Sequence, residues 1–215
     1  MTLLRRYLLD REVQSSDSAT RIVQLPKTGL LSGLSLRIEC TNGTTSGVER
    51  LIDAIDRVEV IANGSEVLFS LEGVELNKWT YIWTKRRPPQ ILTQALSGVQ
   101  EIMFPIPFGR HIGDRELYLD LSRFQSVELR VQFSPTIAAT EFVTGTFTIT
   151  AILHLWAAGA PGLMPRGYIR TSQVRAFTSV ASGEEVFELP RKYPLLDVLV
   201  YAREAAIADG TDITI

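Results

Sequence analysis

Val127-Glu128-Leu129-Arg130-Val131-Gln132-Phe133 places every apolar residue at odd positions and every polar residue at even ones. Successive side chains of a strand point to opposite faces, so this spacing reads as a β-strand with one face buried and one wet. The same period recurs at Phe147, Ile149, Ala151, Leu153 and Leu155, with Thr148, Thr150 and His154 opposite. Leu117, Leu119 and Leu121 repeat it, as do Ile102, Phe104, Ile106 and Phe108. In the last run Pro105 and Pro107 fall between the apolar positions. Proline cannot donate to a sheet ladder, so that strand is expected at an edge or to be irregular.

Working outward toward the N-terminus, Arg21 to Leu25, Leu34 to Cys40 and Arg57 to Ala62 read as further strands. The third runs into Asn63-Gly64, and Ser65 to Phe69 returns from it. Asn-Gly between apolar runs predicts a type I′ hairpin, because both residues tolerate positive φ. Helix is scarce. Leu76, Trp79 and Trp83 share one helical face over 72–83, and 90–96 fits one further short turn of helix. Leu3 to Leu9 is amphipathic but too short to hold a helix alone, being under the ~12 residues an isolated helix needs. Many short strands with few helices predict an all-β antiparallel sandwich or barrel.

The composition agrees. The 215 residues are 45% hydrophobic and 21% charged, with 10 prolines and 15 glycines, as in a folded domain with a sizeable core. Lys plus Arg number 22 against 24 Asp plus Glu, a net charge of −2, which gives no general field for gripping nucleic acid. The lone cysteine, Cys40, excludes an intrachain disulfide and ends an apolar run, so it reads as a buried small hydrophobe. Charges interrupt the apolar residues of the first eleven positions, unlike a signal peptide. No stretch approaches the ~18 apolar residues of a membrane span.

Chemistry is thin. His154 lies in an alternating strand, and His111 lies in a loop with Asp114 and Glu116 but without a second histidine or cysteine at metal-site spacing. No nucleophile elbow, dinucleotide-binding or phosphate-loop spacing occurs. Asp53, Asp56, Glu59, Asp114, Glu116 and Asp120 sit at strand ends or on polar faces, and nothing singles out a catalytic pair. Asn42-Gly43-Thr44 and Asn63-Gly64-Ser65 read as turns. No catalytic residue, metal ligand or cofactor is expected. Trp79, Tyr81 and Trp83 read as core, with a sugar-stacking platform as the alternative.

Two features concern organisation. Arg21-Ile22-Val23-Gln24-Leu25-Pro26-Lys27 is echoed by Glu185-Val186-Phe187-Glu188-Leu189-Pro190-Arg191, and at the same offset Leu31, Leu34 and Leu36 fall on Leu195, Val198 and Val200. A Gly-, Ala- and Pro-rich stretch over 157–167 separates the copies. The reading is an N-terminal arm over 1–16, a first β-domain over 17–157, a linker over 158–167, and the opening strands of a second domain, incomplete in this chain, over 168–215.

The Leu-Pro-Lys and Leu-Pro-Arg strand ends, the hairpin from Ile55-Asp56-Arg57-Val58-Glu59-Val60 to Asn63-Gly64, and the closing strand Phe147 to Trp156 together resemble the double-jelly-roll major capsid proteins of tailless, membrane-containing icosahedral viruses. The resemblance implies an antiparallel jelly-roll sandwich followed by the opening strands of a second jelly roll. It implies a non-enzymatic capsid subunit that folds in the host cytoplasm and resides in the virion. Its expected partners are itself as a homotrimer and lattice, other capsid proteins, and an internal lipid membrane, with no specific nucleic acid. Candidate assembly contacts are Leu3, Leu4, Arg5, Arg6, Leu8 and Arg11 in the arm, ordered only against a neighbour or an anionic membrane, and Lys85, Arg86 and Arg87. A carbohydrate- or ligand-binding β-sandwich is the alternative.

Overall fold

The computed structural model describes residues 4–14, 18–44, 50–93, 95–135, 142–143, 145–157, 162–163, 166–175, 186–192 and 194–200. The chain divides into a first unit, Met1–Ala176, and a second, Phe177–Ile215.

The first unit is organised around one hairpin. Strand β1 (Leu4–Gln14), β2 (Ala19–Gln24), β3 (Leu30–Thr41) and β4 (Ile55–Ala62) lead to Asn63-Gly64, and β5 (Glu66–Leu71) returns. Asn63 and Gly64 take φ of 52° and 75°, the positive values a type I′ turn requires. Helix α1 (Gly73–Thr84) and strands β6 (Gln90–Ile91), β7 (Val99–Pro107), β8 (Leu119–Asp120), β9 (Val127–Phe133), β10 (Phe147–Trp156) and β11 (Thr171–Ser172) follow. The long strands pair in nested order: β4 with β5, β3 with β7, β2 with β9 and β1 with β10, all antiparallel. The first unit is thus a long double ribbon rolled about its closing turn. Lateral pairs β10·β3 and β4·β9 complete two sheets, ordered β1-β10-β3-β7-β6 and β11-β5-β4-β9-β2. This is the jelly-roll arrangement that the resemblance implies.

Between the sheets, the alternating residues meet as their spacing dictates. Leu34, Leu36, Ile38 and Cys40 of β3, Ile102, Phe104 and Ile106 of β7, and Phe147, Ile149, Ala151 and Leu153 of β10 form one wall. Val58, Val60, Phe69, Leu129, Val131 and Phe133 form the other. Phe133 stacks on Phe147 across the gap with ring centroids 5.3 Å apart. Burial of this size supplies the main drive for folding, at roughly 25 cal/mol per Å² of apolar surface.

Several expectations require correction. Residues 4–14 of the expected arm are not held only by a neighbour: they are β1, paired along their length with β10 of the same chain. The sandwich therefore begins at Leu4 rather than at residue 17. Residues 90–91 form a short strand, not a helical turn. After Leu119 and Asp120 the chain makes a 3-10 turn, Leu121–Arg123, which cuts short the strand expected from the alternation of Leu117, Leu119 and Leu121. The first unit also runs past residue 157. Arg166 N donates to Glu116 O (2.9 Å), Tyr118 N to Gly167 O (2.9 Å), Ile169 N to Phe108 O (2.8 Å) and Gln173 N to Ser70 O (3.0 Å). Between them β11 lies parallel to β5, the one parallel pair among the described strands.

The prolines behave as their chemistry requires. Met103 N donates outward to Pro89 O at 2.9 Å, away from β3. Pro105 and Pro107 share its parity, so their missing donors lie on the open side of β7 beyond the two-residue β6. Helix α1, expected over 72–83, buries Leu76 and Trp79 and turns off at Lys85 with φ of 57°. Glu72 N donates to Glu75 Oε2 at 3.3 Å, half of a capping box. Gly73 opens the helix against the carbonyl oxygens of Ile52 and Ile55, each 2.6 Å from where a Cβ would stand.

In the second unit, 186–192 and 194–200 carry no helix or strand, and Val186, Leu196 and Val200 are exposed. Glu185, the first residue of the echoed stretch, lies outside the described residues.

Candidate assembly surfaces

The assembly contacts implied by the resemblance would lie on the outward faces and flanks of the sandwich. Paired residues of adjacent antiparallel strands share a face. On the outer face of the first sheet, charged residues from three strands form a ladder. Arg37 of β3 holds Glu101 of β7 through two contacts, 2.8 and 3.0 Å, and reaches Glu39 at 2.6 Å. Arg11 of β1 closes on Glu39 at 3.6 Å. Beneath this ladder Thr148 and Thr150 of β10 are buried. The Arg37 hydrogen bonds hold the Glu101 carboxyl below its ordinary range, and Glu101 in turn raises the Arg37 guanidinium.

Further along the same face, His154 is buried opposite Arg6, with Nε2 2.8 Å from Ser35 Oγ. Burial pushes the imidazole below its ordinary value, and Arg6 adds to the effect. Its Nδ1 has no partner among the described residues.

The candidate contacts fall on two separate sites. Leu3 lies outside the described residues. Leu4, Arg5, Arg6, Leu8 and Arg11 are all on β1, the terminal strand of the first sheet, and Leu8 is 65% exposed. Lys85, Arg86 and Arg87 are exposed on the link from α1 to β6, at the other end of that sheet. Thr84 Oγ1 accepts from Arg86 N at 3.3 Å and so fixes the start of this basic turn.

The flank carrying β1 is also where the second sheet ends, at β2. Arg21 of β2 bridges to β1, 2.9 Å from Asp10 and 2.5 Å from Glu12. Nothing in the local spacing of Arg21 signals this contact, because its partners belong to another strand.

Candidate chemistry is absorbed by structure. Arg110 holds Asp114 at 2.8 and 3.0 Å and Glu116 at 2.9 Å, while His111 sits exposed on the turn between them. The guanidinium and three backbone N–H groups keep the Asp114 carboxyl far below the carboxylate range. Trp79 stacks on Trp83 at 5.7 Å, and Trp83 Nε1 donates to Arg110 O at 2.8 Å. Tyr81 is exposed by itself, so the three aromatics do not make a shared platform. Asn42, expected in a turn, is a buried hub instead. Its Nδ2 donates to Thr93 O (2.7 Å) and Ala95 O (2.9 Å), and its Oδ1 accepts from Gln100 (2.8 Å). Cys40 is buried, as its apolar run implies. Among the described residues no group of three or more His, Cys, Asp and Glu could hold a metal ion. None of the described helices is long and apolar enough to cross a membrane.

No protein-family model and no curated protein matches the sequence. Solved structures do match in shape. The STIV MCP superposes with a TM-score of 0.52 at 14% identity, over 76% of this chain and 55% of that one. The PBCV-1 virus capsid superposes with a TM-score of 0.52 at 10% identity, over 73% of this chain and 42% of that one. This chain thus spans about half the length of the proteins it matches. Nested strand pairing, an all-β sandwich and these superpositions agree: the chain has the jelly-roll fold found in double-jelly-roll viral major capsid proteins.

Proposed function

We propose that this chain is a structural, non-enzymatic subunit of an icosahedral virus capsid, resident in the virion. The observation that carries the reading is the rolled sandwich of nested strands, which superposes on two viral capsid proteins over about three quarters of its length. Identity at that level transfers fold rather than function. The reading gains weight from the way charged and polar groups are consumed by ion pairs and buried hubs rather than gathered in a cleft.

Several finer statements belong to the same proposal. The subunit assembles as a homotrimeric capsomer and packs into a lattice with itself and other capsid proteins, above an internal lipid membrane, without binding a specific nucleic acid. It folds in the host cytoplasm. Residues beyond Ala176 open a second roll, and the residues of β1 together with Lys85, Arg86 and Arg87 contribute assembly contacts. The partial coverage of both matched capsid chains supports a roll that is one of two.

Sedimentation equilibrium of the full chain tests the proposal. A mass of three subunits, reached cooperatively with concentration, is expected. Saturable binding of a small sugar by a stable monomer would replace it with the ligand-binding sandwich.

A further inference from the structure

We infer that the first half of β1, Leu4–Leu8, is an acid-released edge: protonation of His154 detaches it from β10, while Asp10–Gln14 stays in place. Detachment leaves the edge of β10 from Ile152 to Trp156 without its outer neighbour. The device is built into the sandwich itself and holds whatever the subunit assembles into.

The two halves of β1 are held differently. Arg5, Arg6, Tyr7 and Leu8 are exposed and Leu4 is half-buried, so the first half buries little apolar surface. Arg5 bonds within the segment, to Tyr7 Oη at 3.5 Å. Pairing with β10 is therefore the main attachment of this half. At the bulge Leu9 packs against the core, and beyond it Gln14 is buried. There Arg21 holds Asp10 at 2.9 Å and Glu12 at 2.5 Å, and Arg11 reaches Glu39 at 3.6 Å. The register shifts between Leu8 and Asp10, where a bulge already interrupts the ladder. Segments with few buried apolar contacts open at low free energy and in contiguous units. The bulge bounds such a unit.

His154 lies against the weaker half. It pairs with Arg6 in the register and is only 5% exposed, although it stands on the outer face of the first sheet. Ser35 Oγ lies 2.8 Å from Nε2, and Nδ1 has no partner among the described residues. A protonated ring donates from both nitrogens, so Nδ1–H would be a buried, charged donor without an acceptor.

The surroundings supply no counter-charge. β1 contributes Arg6, and β3 contributes Gly33 and Ser35, with Arg37 next along the same face. β7 contributes Pro105 and Pro107 beyond them. From the turn after β7, Ile112 comes within 2.9 Å of where a Gly33 Cβ would stand, and His111 beside it is exposed. The carboxylates of this region are engaged: Glu39 and Glu101 by Arg37, and Asp114, whose carbonyl accepts from Trp156 Nε1, by Arg110. Burial and Arg6 both oppose charging of the ring. Opening of Leu4–Leu8 withdraws Arg6 and admits water, and the freed imidazole then takes a proton near its ordinary ~6.5. The open form binds this proton and the closed form does not, so falling pH favours opening.

Hydrogen exchange of the full chain at pH 7.5 and 5.5, with labelling times scaled to the intrinsic exchange rate, tests the inference. One pH unit below ~6.5 the open population should rise about tenfold, so protected amides of Leu4–Leu8 should lose about tenfold in protection. Those of Asp10–Gln14 and of β3 should keep theirs, and His154→Gln should abolish the acid response. An unchanged first half, an equal loss in both halves, or a full response in His154→Gln would overturn the inference. If that variant fails to fold, NMR titration of the imidazole in the wild type decides. Protonation of His154 below ~6.5, in step with release of Leu4–Leu8, supports the device. Protonation near ~6.5 with the first half still protected would overturn it.

Discussion

Arg21 on β2 reaches across the mouth of the sandwich to Asp10 on β1, Nε and Nη2 lying 3.0 and 2.9 Å from the same carboxylate oxygen. The two strands are the end members of different sheets, so this contact closes an edge that no backbone hydrogen bond spans among the described residues. Replacing Arg21 by Gln should lower stability by about 1 kcal/mol, the scale of a partly exposed ion pair. The loss should be local. Hydrogen exchange should quicken in β1 and β2 and stay unchanged in β3 and β4. Uniform quickening would show that the pair supports the whole sandwich rather than its edge.

Glycine at the first position of α1 leads to an expectation opposite in sign to the usual one. Gly→Ala within a helix ordinarily stabilises by about 0.5–1 kcal/mol. At Gly73 the added methyl would stand 2.6 Å from the carbonyl oxygens of both Ile52 and Ile55. Overpacking of this kind costs about 1–3 kcal/mol, so Gly73→Ala should lower the denaturation midpoint. A raised midpoint would mean that α1 can move away from the turn at 51–54 at little cost.

His154 sets a pH dependence. Among charged groups Arg6 of β1 acts on the imidazole, Ser35 of β3 bonds its Nε2, and burial opposes its charge. The folded-state value is therefore depressed, while the unfolded chain takes up a proton near ~6.5. Below that pH the unfolded state binds more protons, so its stabilisation is present in full above ~6.5. It declines with acid until the folded imidazole also protonates. Thermal midpoints at pH 7.5 and 5.5 should separate less in His154→Gln than in wild type. Equal separations would place the titration elsewhere.

The core strands were legible because their environment is two-sided. β9 and β10 begin and end where the alternation of Val127–Phe133 and Phe147–Trp156 places them, and α1 is displaced by a single residue from 72–83. β1 was not legible as a strand. It lies at an edge, and the bulge after Leu8 breaks its period, so neither face of Leu4–Gln14 reads as continuously apolar. β6 is only two residues long, too short for any periodicity. The Asn42 hub depends on Thr93, Ala95 and Gln100, residues about fifty positions away that no local pattern connects to it. The proposed assembly contacts were legible only as composition: β1 and the turn at Lys85–Arg87 each carry exposed base, but their opposite placement on the sheet comes from pairing order.

The central claim is that the chain builds a shell. Electron microscopy of the concentrated full chain tests it most directly, because a lattice is a property no ligand-binding monomer possesses. The account predicts three-fold particles of pseudo-hexagonal outline that pack into ordered sheets. A uniform field of single subunits at every concentration and salt condition, with no repeating contact between them, would contradict it.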